Sequence, residues 1–199
     1  MARELQNRVV DLIEEVTGTT LEREVAPTWL MRPGAAECGA VWPVIRAIYS
    51  DLTDGAVLPD VMPARERRSI DGVLTADDGA SRIVEIDEAP HFTPPRARTF
   101  AHYPSATRTA FEQSAWAEGS SRGTRMRGGG FGRPTPPLFP EAGGRHLQRA
   151  FRDSLADLLP SEHGWLPTLR VGDFEVKEWL FDPDAEARMA QLLETKGIH

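Results

Sequence analysis

The chain has 199 residues, 40% of them hydrophobic and 27% charged, which is ordinary for a globular protein and long enough for one domain with a real core. A single cysteine, Cys38, excludes an internal disulfide and a thiolate zinc cluster. The net charge of −7 argues against a general polyanion binder, and no apolar run reaches the roughly 18–20 residues that a membrane helix needs.

Leu5, Val9, Leu12, Ile13 and Val16 recur at helical spacing, so residues 3–16 are predicted helical, with Thr17-Gly18-Thr19-Thr20 as the stop. The segment that precedes it is amphipathic rather than an apolar signal core, and a cytoplasmic location is expected. Residues 26–34, with Pro27, Trp29 and Pro33-Gly34, read as an irregular link. Val41, Val44, Ile45, Ile48 and Tyr49 suggest a second helix within 35–52, kinked or started near Pro43. A Pro-containing loop at 53–66 leads into a predicted β-hairpin at about 67–88, because two β-branched runs flank Thr75-Ala76-Asp77-Asp78-Gly79-Ala80. Pro94-Pro95 opens a helical segment at about 96–117. Residues 119–144 are rich in Gly, Pro, Ser and Arg and read as a mobile loop. Leu147, Ala150, Phe151, Leu155, Leu158 and Leu159 then mark a helix at 145–159, stopped by Pro160. One or two strands are expected within 169–181, with Gly172-Asp173 as a turn, and Asp182-Pro183-Asp184 caps a last helix at about 184–195.

The expected organisation is one domain, 1–199. It comprises an N-terminal helix and linker (1–34), a helix, hairpin and following helix (35–118), the loop (119–144), and a helix–strand–helix end (145–199). Three or four strands packed with helices give an α/β (α+β) fold.

The hairpin carries the chemistry. Asp71 lies in its first run; Glu85 and Asp87 lie two apart in the second and so share a face. Such carboxylates want a divalent cation, basic partners or water. The plain alternative is a solvated sheet face paired with Arg67, Arg68 and Arg82. Charge is also uneven: from Arg96 to Arg152 there are ten Arg against Glu112, Glu118 and Glu141, a local +7 that leaves −14 elsewhere. Arg favours planar, bidentate contacts with phosphate or carboxylate, although Arg over Lys is equally a matter of codon bias. Lys occurs only at 177 and 196. His102, His146 and His163 show no metal-ligand spacing, and the five Trp read as core or interface.

Asp71 in one strand and Glu85-x-Asp87 in the next resembles the P-D…(D/E)-x-K nuclease superfamily, the restriction-endonuclease-like fold. Ile83-Val84-Glu85-Ile86-Asp87 followed by His91, then Arg149-Ala150-Phe151-Arg152-Asp153-Ser154-Leu155 and Gly164-Trp165-Leu166-Pro167-Thr168-Leu169-Arg170-Val171, is similar to its very-short-patch-repair-like branch. The likeness covers about 66–92 and 146–195. It implies a small mixed sheet flanked by helices, and Mg²⁺ or Mn²⁺ held by Asp71 and Glu85, with Glu37 as a further acid from the preceding helix. It also implies catalytic roles for Asp71, Glu85, Asp87 and His91. Asp87 stands where the superfamily usually has Lys, so His91 is the expected general acid or base. Glu175-Val176-Lys177 matches the motif literally, but too little chain follows it for the core; Lys177 remains a candidate for a migrated lysine.

Two function classes follow. One is a metal-dependent DNA endonuclease whose phosphate contacts come from Arg96, Arg98, Arg122, Arg125, Arg127, Arg149 and Arg152. The other is a catalytically degenerate relative that binds nucleic acid or assembles with a partner protein. A homodimer is a further expectation.

Overall fold

The computed structural model describes residues 2–63, 69–122 and 132–198. Its frame is a four-stranded mixed sheet in the order β1-β2-β3-β4, formed by Glu22–Arg23, Gly72–Thr75, Ser81–Asp87 and Leu166–Gly172. The first three strands run antiparallel, and β4 runs parallel to β3. The hairpin closes through Asp78, whose Oδ1 accepts the Ala80 N–H at 2.9 Å, and Gly79, whose φ of 84° suits a residue without Cβ.

A parallel pair cannot be joined by a tight turn, and the chain between β3 and β4 is helical. It contains α5 (Pro94–Phe100), α6 (Gln113–Arg122) and α7 (Gly144–Leu158). The single helix expected at 96–117 is thus two helices, separated by an irregular stretch in which Ala110 bridges to Leu169 on the far edge of β4. Before the hairpin come α1 (Ala2–Thr17), two one-turn helices, α2 (Thr28–Met31) and α3 (Ala35–Cys38), and α4 (Trp42–Leu52), which starts at Pro43 rather than kinking there. After β4 come α8 (Asp173–Val176) and α9 (Ala185–Thr195). The strand expected within 169–181 therefore begins earlier, at Leu166, and ends where Glu175 turns back to cap α8, accepting the Gly172 N–H at 2.8 Å.

Both faces of the sheet are covered. Val84, Ile86, Leu169 and Val171 point to one face and pack with Val9, Leu12 and Ile13 of α1 and Met189 and Leu193 of α9. Val73 and Ile83 point to the other and pack with Ile45, Ile48 and Leu52 of α4 and Phe151, Leu155 and Leu158 of α7. This is a mixed α/β architecture, and no described helix is long and apolar enough to cross a membrane.

Part of the loop expected at 119–144 is packed structure. Residues 119–122 close α6, and Leu138 and Phe139 enter the core, where the Tyr49 hydroxyl donates to the Leu138 carbonyl at 2.8 Å. Gly144, at the start of α7, admits no side chain, since a Cβ there would lie 2.2 Å from the Phe139 carbonyl oxygen. Residues 123–131, including Arg125 and Arg127, lie outside the described residues, as do Arg67 and Arg68.

Candidate functional site

Strand alternation sends Glu85 and Asp87 to the face opposite Val84 and Ile86, toward α7. From β4 the same alternation brings Arg170, the register partner of Glu85. Its side chain is fully buried, as is that of Asp157 on α7, and Asp87 is 1% exposed. Isolated charges at that depth are prohibitive, so the sequence must bring them together in balance.

It does so through Arg170. Its Nη1 donates to both Asp87 carboxylate oxygens at 2.8 and 2.9 Å, Nε donates to Asp157 Oδ1 at 2.7 Å, and Nη2 donates to the Asp153 carbonyl at 3.1 Å. Arg96 of α5 closes the far side: it pairs with Asp157 Oδ2 and donates to the hydroxyls of Thr99 at 3.1 Å and Tyr103 at 2.8 Å. Tyr103 in turn donates to Asp157 Oδ2 at 2.7 Å, and the Trp116 indole N–H donates to Asp87 Oδ2 at 2.7 Å.

His91 completes the group. Its Nδ1 lies 3.0 Å from Asp153 Oδ2 and 3.3 Å from Asp87 Oδ1, and the side chain is 24% exposed. Burial pushes the imidazole pKa down, but the carboxylates of Asp153 and Asp87 outweigh burial and the opposing charge of Arg149, so the net shift is upward. The same attraction holds Asp153 and Asp87 below the usual carboxylate range despite their burial: His91 leads for Asp153 and Arg170 for Asp87. A protonated His91 joins Arg96 and Arg170 as the cations that face Asp87, Asp153 and Asp157, with Glu85 a further carboxylate acting on Arg170. With Nδ1 turned inward, Nε2 is the ring nitrogen that a ligand can reach.

Asp71 enters from β2. Its Oδ2 accepts the Ile86 N–H at 2.8 Å, taking the place of the next ladder bond. Since Gly72 pairs with Val84, Asp71 stands across from Glu85, with Glu85 itself 4% exposed. The two carboxylates and His91 thus occupy one end of the sheet, where β3 leaves it. Two carboxylates, with waters and substrate phosphate, are the usual protein contribution to a Mg²⁺ site, so the pair fits an ion that arrives with phosphate. It does not fit a cage built by protein alone: among the described residues no group of three or more His, Cys, Asp or Glu is gathered for a metal.

Several sequence expectations change. Glu37 does not join the acids. Its carboxylate accepts the Gly34 N–H at 2.9 Å and caps α3, while His163 Nε2 lies 2.8 Å from its carbonyl oxygen. Asp87 is engaged on both oxygens, by Arg170, Trp116 and His91. Arg96 is 1% exposed and belongs to the interior network, so it offers nothing to a nucleic acid. Arg98 is held by Asp51, with Nε 3.2 Å from Oδ2, and Arg122 pairs with Glu118 within its own helix. Arg149 donates to the Pro90 carbonyl at 3.0 Å, beside His91, and Arg152 lies one turn further along α7. Lys177 sits exposed at the end of α8. Lys196 is the buried lysine: it donates to Glu175 Oε1 at 2.7 Å and lies 4.9 Å from the Trp116 ring, with burial lowering its pKa against the pull of Glu175.

Asp153, Asp157 and Arg170 are the residues that sequence reasoning missed as a site. The available signal was Arg170 between Leu169 and Val171: a charged residue alternating with apolar ones in a strand buried on both faces must meet counter-charges inside.

No family model, no curated protein and no solved structure matches this chain.

Proposed function

We propose that this chain is a metal-dependent nuclease that hydrolyses DNA phosphodiester bonds on a restriction-endonuclease-like core. The reading is carried by one observation: the carboxylates of Asp71 and Glu85 stand across from one another at the end of the sheet from which His91 emerges. The architecture adds support, since a small mixed sheet flanked by helices is what the resemblance implies.

Asp71 and Glu85 would hold Mg²⁺ or Mn²⁺, which supplies charge neutralisation at the phosphate and a more acidic water. The chain's own residues supply the rest. Protonated His91 donates from Nε2 to the departing sugar oxygen, while Asp153 and Asp87 hold its Nδ1–H and fix the ring. Arg170 keeps Asp87 ionised so that this support persists, and Trp116 fixes the same carboxylate.

The second reading, a degenerate nuclease-fold protein that binds nucleic acid or serves as an assembly subunit, is favoured by Asp87. The position expected to hold a catalytic lysine carries an acid tied to Arg170. Cleavage of plasmid and single-stranded DNA in Mg²⁺ or Mn²⁺ separates the two. The wild type is expected to cut, Glu85→Gln to lose cutting, and His91→Gln to slow it by about 10²–10⁴-fold, the usual contribution of a general acid. A wild type that neither cuts nor binds either metal by calorimetry overturns the nuclease reading in favour of the degenerate one.

A further inference from the structure

We infer that Arg133, Arg145 and Arg149 form one phosphate-binding face that runs along α7 to His91 and takes backbone phosphates of a nucleic acid. The inference rests on the proposed function for the identity of the phosphate carrier; the site itself is argued from geometry.

Residues 145 and 149 are spaced i and i+4, so they line one side of α7, and both are half-buried. Arg133, which is exposed, is brought to them by the backbone: the Arg145 N–H donates to the Arg133 carbonyl at 2.9 Å. The guanidinium of Arg145 is disfavoured first by burial and then by the charges of Arg149, Arg152 and Arg133, with Asp153 acting the other way. Like charges gathered around the start of a helix, with Arg145 in its first turn where the backbone dipole is also positive, call for an anion.

The contrast with the other arginines is sharp. Arg96, Arg98 and Arg122 each have a carboxylate partner in Asp157, Asp51 and Glu118. The hydrogen bonds of Arg145 and Arg149 go instead to neutral oxygens, Gln148 Oε1 at 2.7 Å and the Pro90 carbonyl at 3.0 Å. Asp153, whose charge acts on Arg145, already serves His91 and Arg170. Anchoring through a neutral oxygen aims a guanidinium without cancelling its charge, which suits bidentate recognition of phosphate. Because Arg149 is fixed at Pro90, a phosphate bound there lies beside His91, the group that would protonate its leaving oxygen.

The test is binding of fluorescently labelled single- and double-stranded oligonucleotides, by anisotropy across a salt series in EDTA so that no cleavage intervenes. R145Q/R149Q is expected to weaken binding at least tenfold and to lower the slope of log affinity against log salt by about two, one per lost phosphate contact. R98Q is expected to change neither. Unchanged affinity and slope in R145Q/R149Q overturn the inference, whereas a wild type that binds in this way but never cuts DNA overturns only the nuclease reading. If the double variant does not fold, wild-type arginine Nε–Hε resonances titrated with pyrophosphate decide. Shifts at Arg145 and Arg149 that an oligonucleotide reproduces support the inference. Shifts confined to other arginines overturn it, and shifts with pyrophosphate that no oligonucleotide reproduces overturn the nucleic-acid carrier.

Discussion

The two faces of β3 and β4 are buried to the same depth by opposite means. Toward α1 and α9, Val84, Ile86, Leu169 and Val171 pack into a cluster of buried apolar residues. Toward α5 and α7, Glu85, Asp87 and Arg170 meet Asp153, Asp157, Arg96 and His91. The apolar face draws its stability from area removed from water, without direction. The charged face gains little net stability from burial, but each member fixes the geometry of the next, and the His91 ring is partly exposed. A fold that needed only a core would gain as much from a second apolar face. That one face is charged, with the His91 ring at its margin, is why the proposed function is placed there.

Three measurements break or sharpen this contrast. The largest effect is expected from Arg170→Met, which leaves Asp87 and Asp157 buried without their shared cation and should lower unfolding stability by about 3–5 kcal/mol in urea. A loss near that expected for a surface pair, under about 1 kcal/mol, would show that the network is not the unit described here. On the other face, Ile86→Val removes one methylene from packed apolar surroundings and should cost about 0.5–1.5 kcal/mol, independent of pH. The smallest effect is expected at His91, and it is read from its pH dependence. Its pKa is raised in the folded chain, so its contribution is fully present below the unfolded value of about 6.5 and is lost as pH rises through the folded value. Wild-type stability should therefore fall across that window, and a His91→Gln stability profile should be flatter there. Identical profiles would place the ring outside the network.

Much of the fold is legible in the sequence because its signals are local. The 3–4 spacing of Leu5, Val9, Leu12 and Ile13 gives α1, and that of Leu147, Ala150, Phe151 and Leu155 gives α7. The β-branched runs around Asp77-Asp78-Gly79 give the hairpin to within a few residues. What is not legible is non-local. Strand β1 has two residues, too few for a period, and exists because Glu22 and Arg23 meet Val73 and Gly72. The break between α5 and α6 follows from Ala110 joining the edge of β4. Leu138 and Phe139 look like loop residues among prolines and glycines until Tyr49 and Phe151 surround them.

The site divides the same way. Asp71, Glu85, Asp87 and His91 can be picked out from residue types and spacing within one hairpin, since two residues apart in a strand means one face. Their partners cannot. Asp87 meets Arg170, and His91 meets Asp153, only after three helices and a parallel strand have returned the chain to the sheet. Likewise composition marks 96–152 as basic, whereas tertiary contacts decide that Arg96 is an interior counter-ion and that Arg145 and Arg149 bond to neutral oxygens. Periodicity is a property of neighbours along the chain, so the sequence alone determined the elements and the candidate acids. Charge pairing depends on distances between residues far apart in sequence, and only the tertiary structure decided which of those charges are already matched.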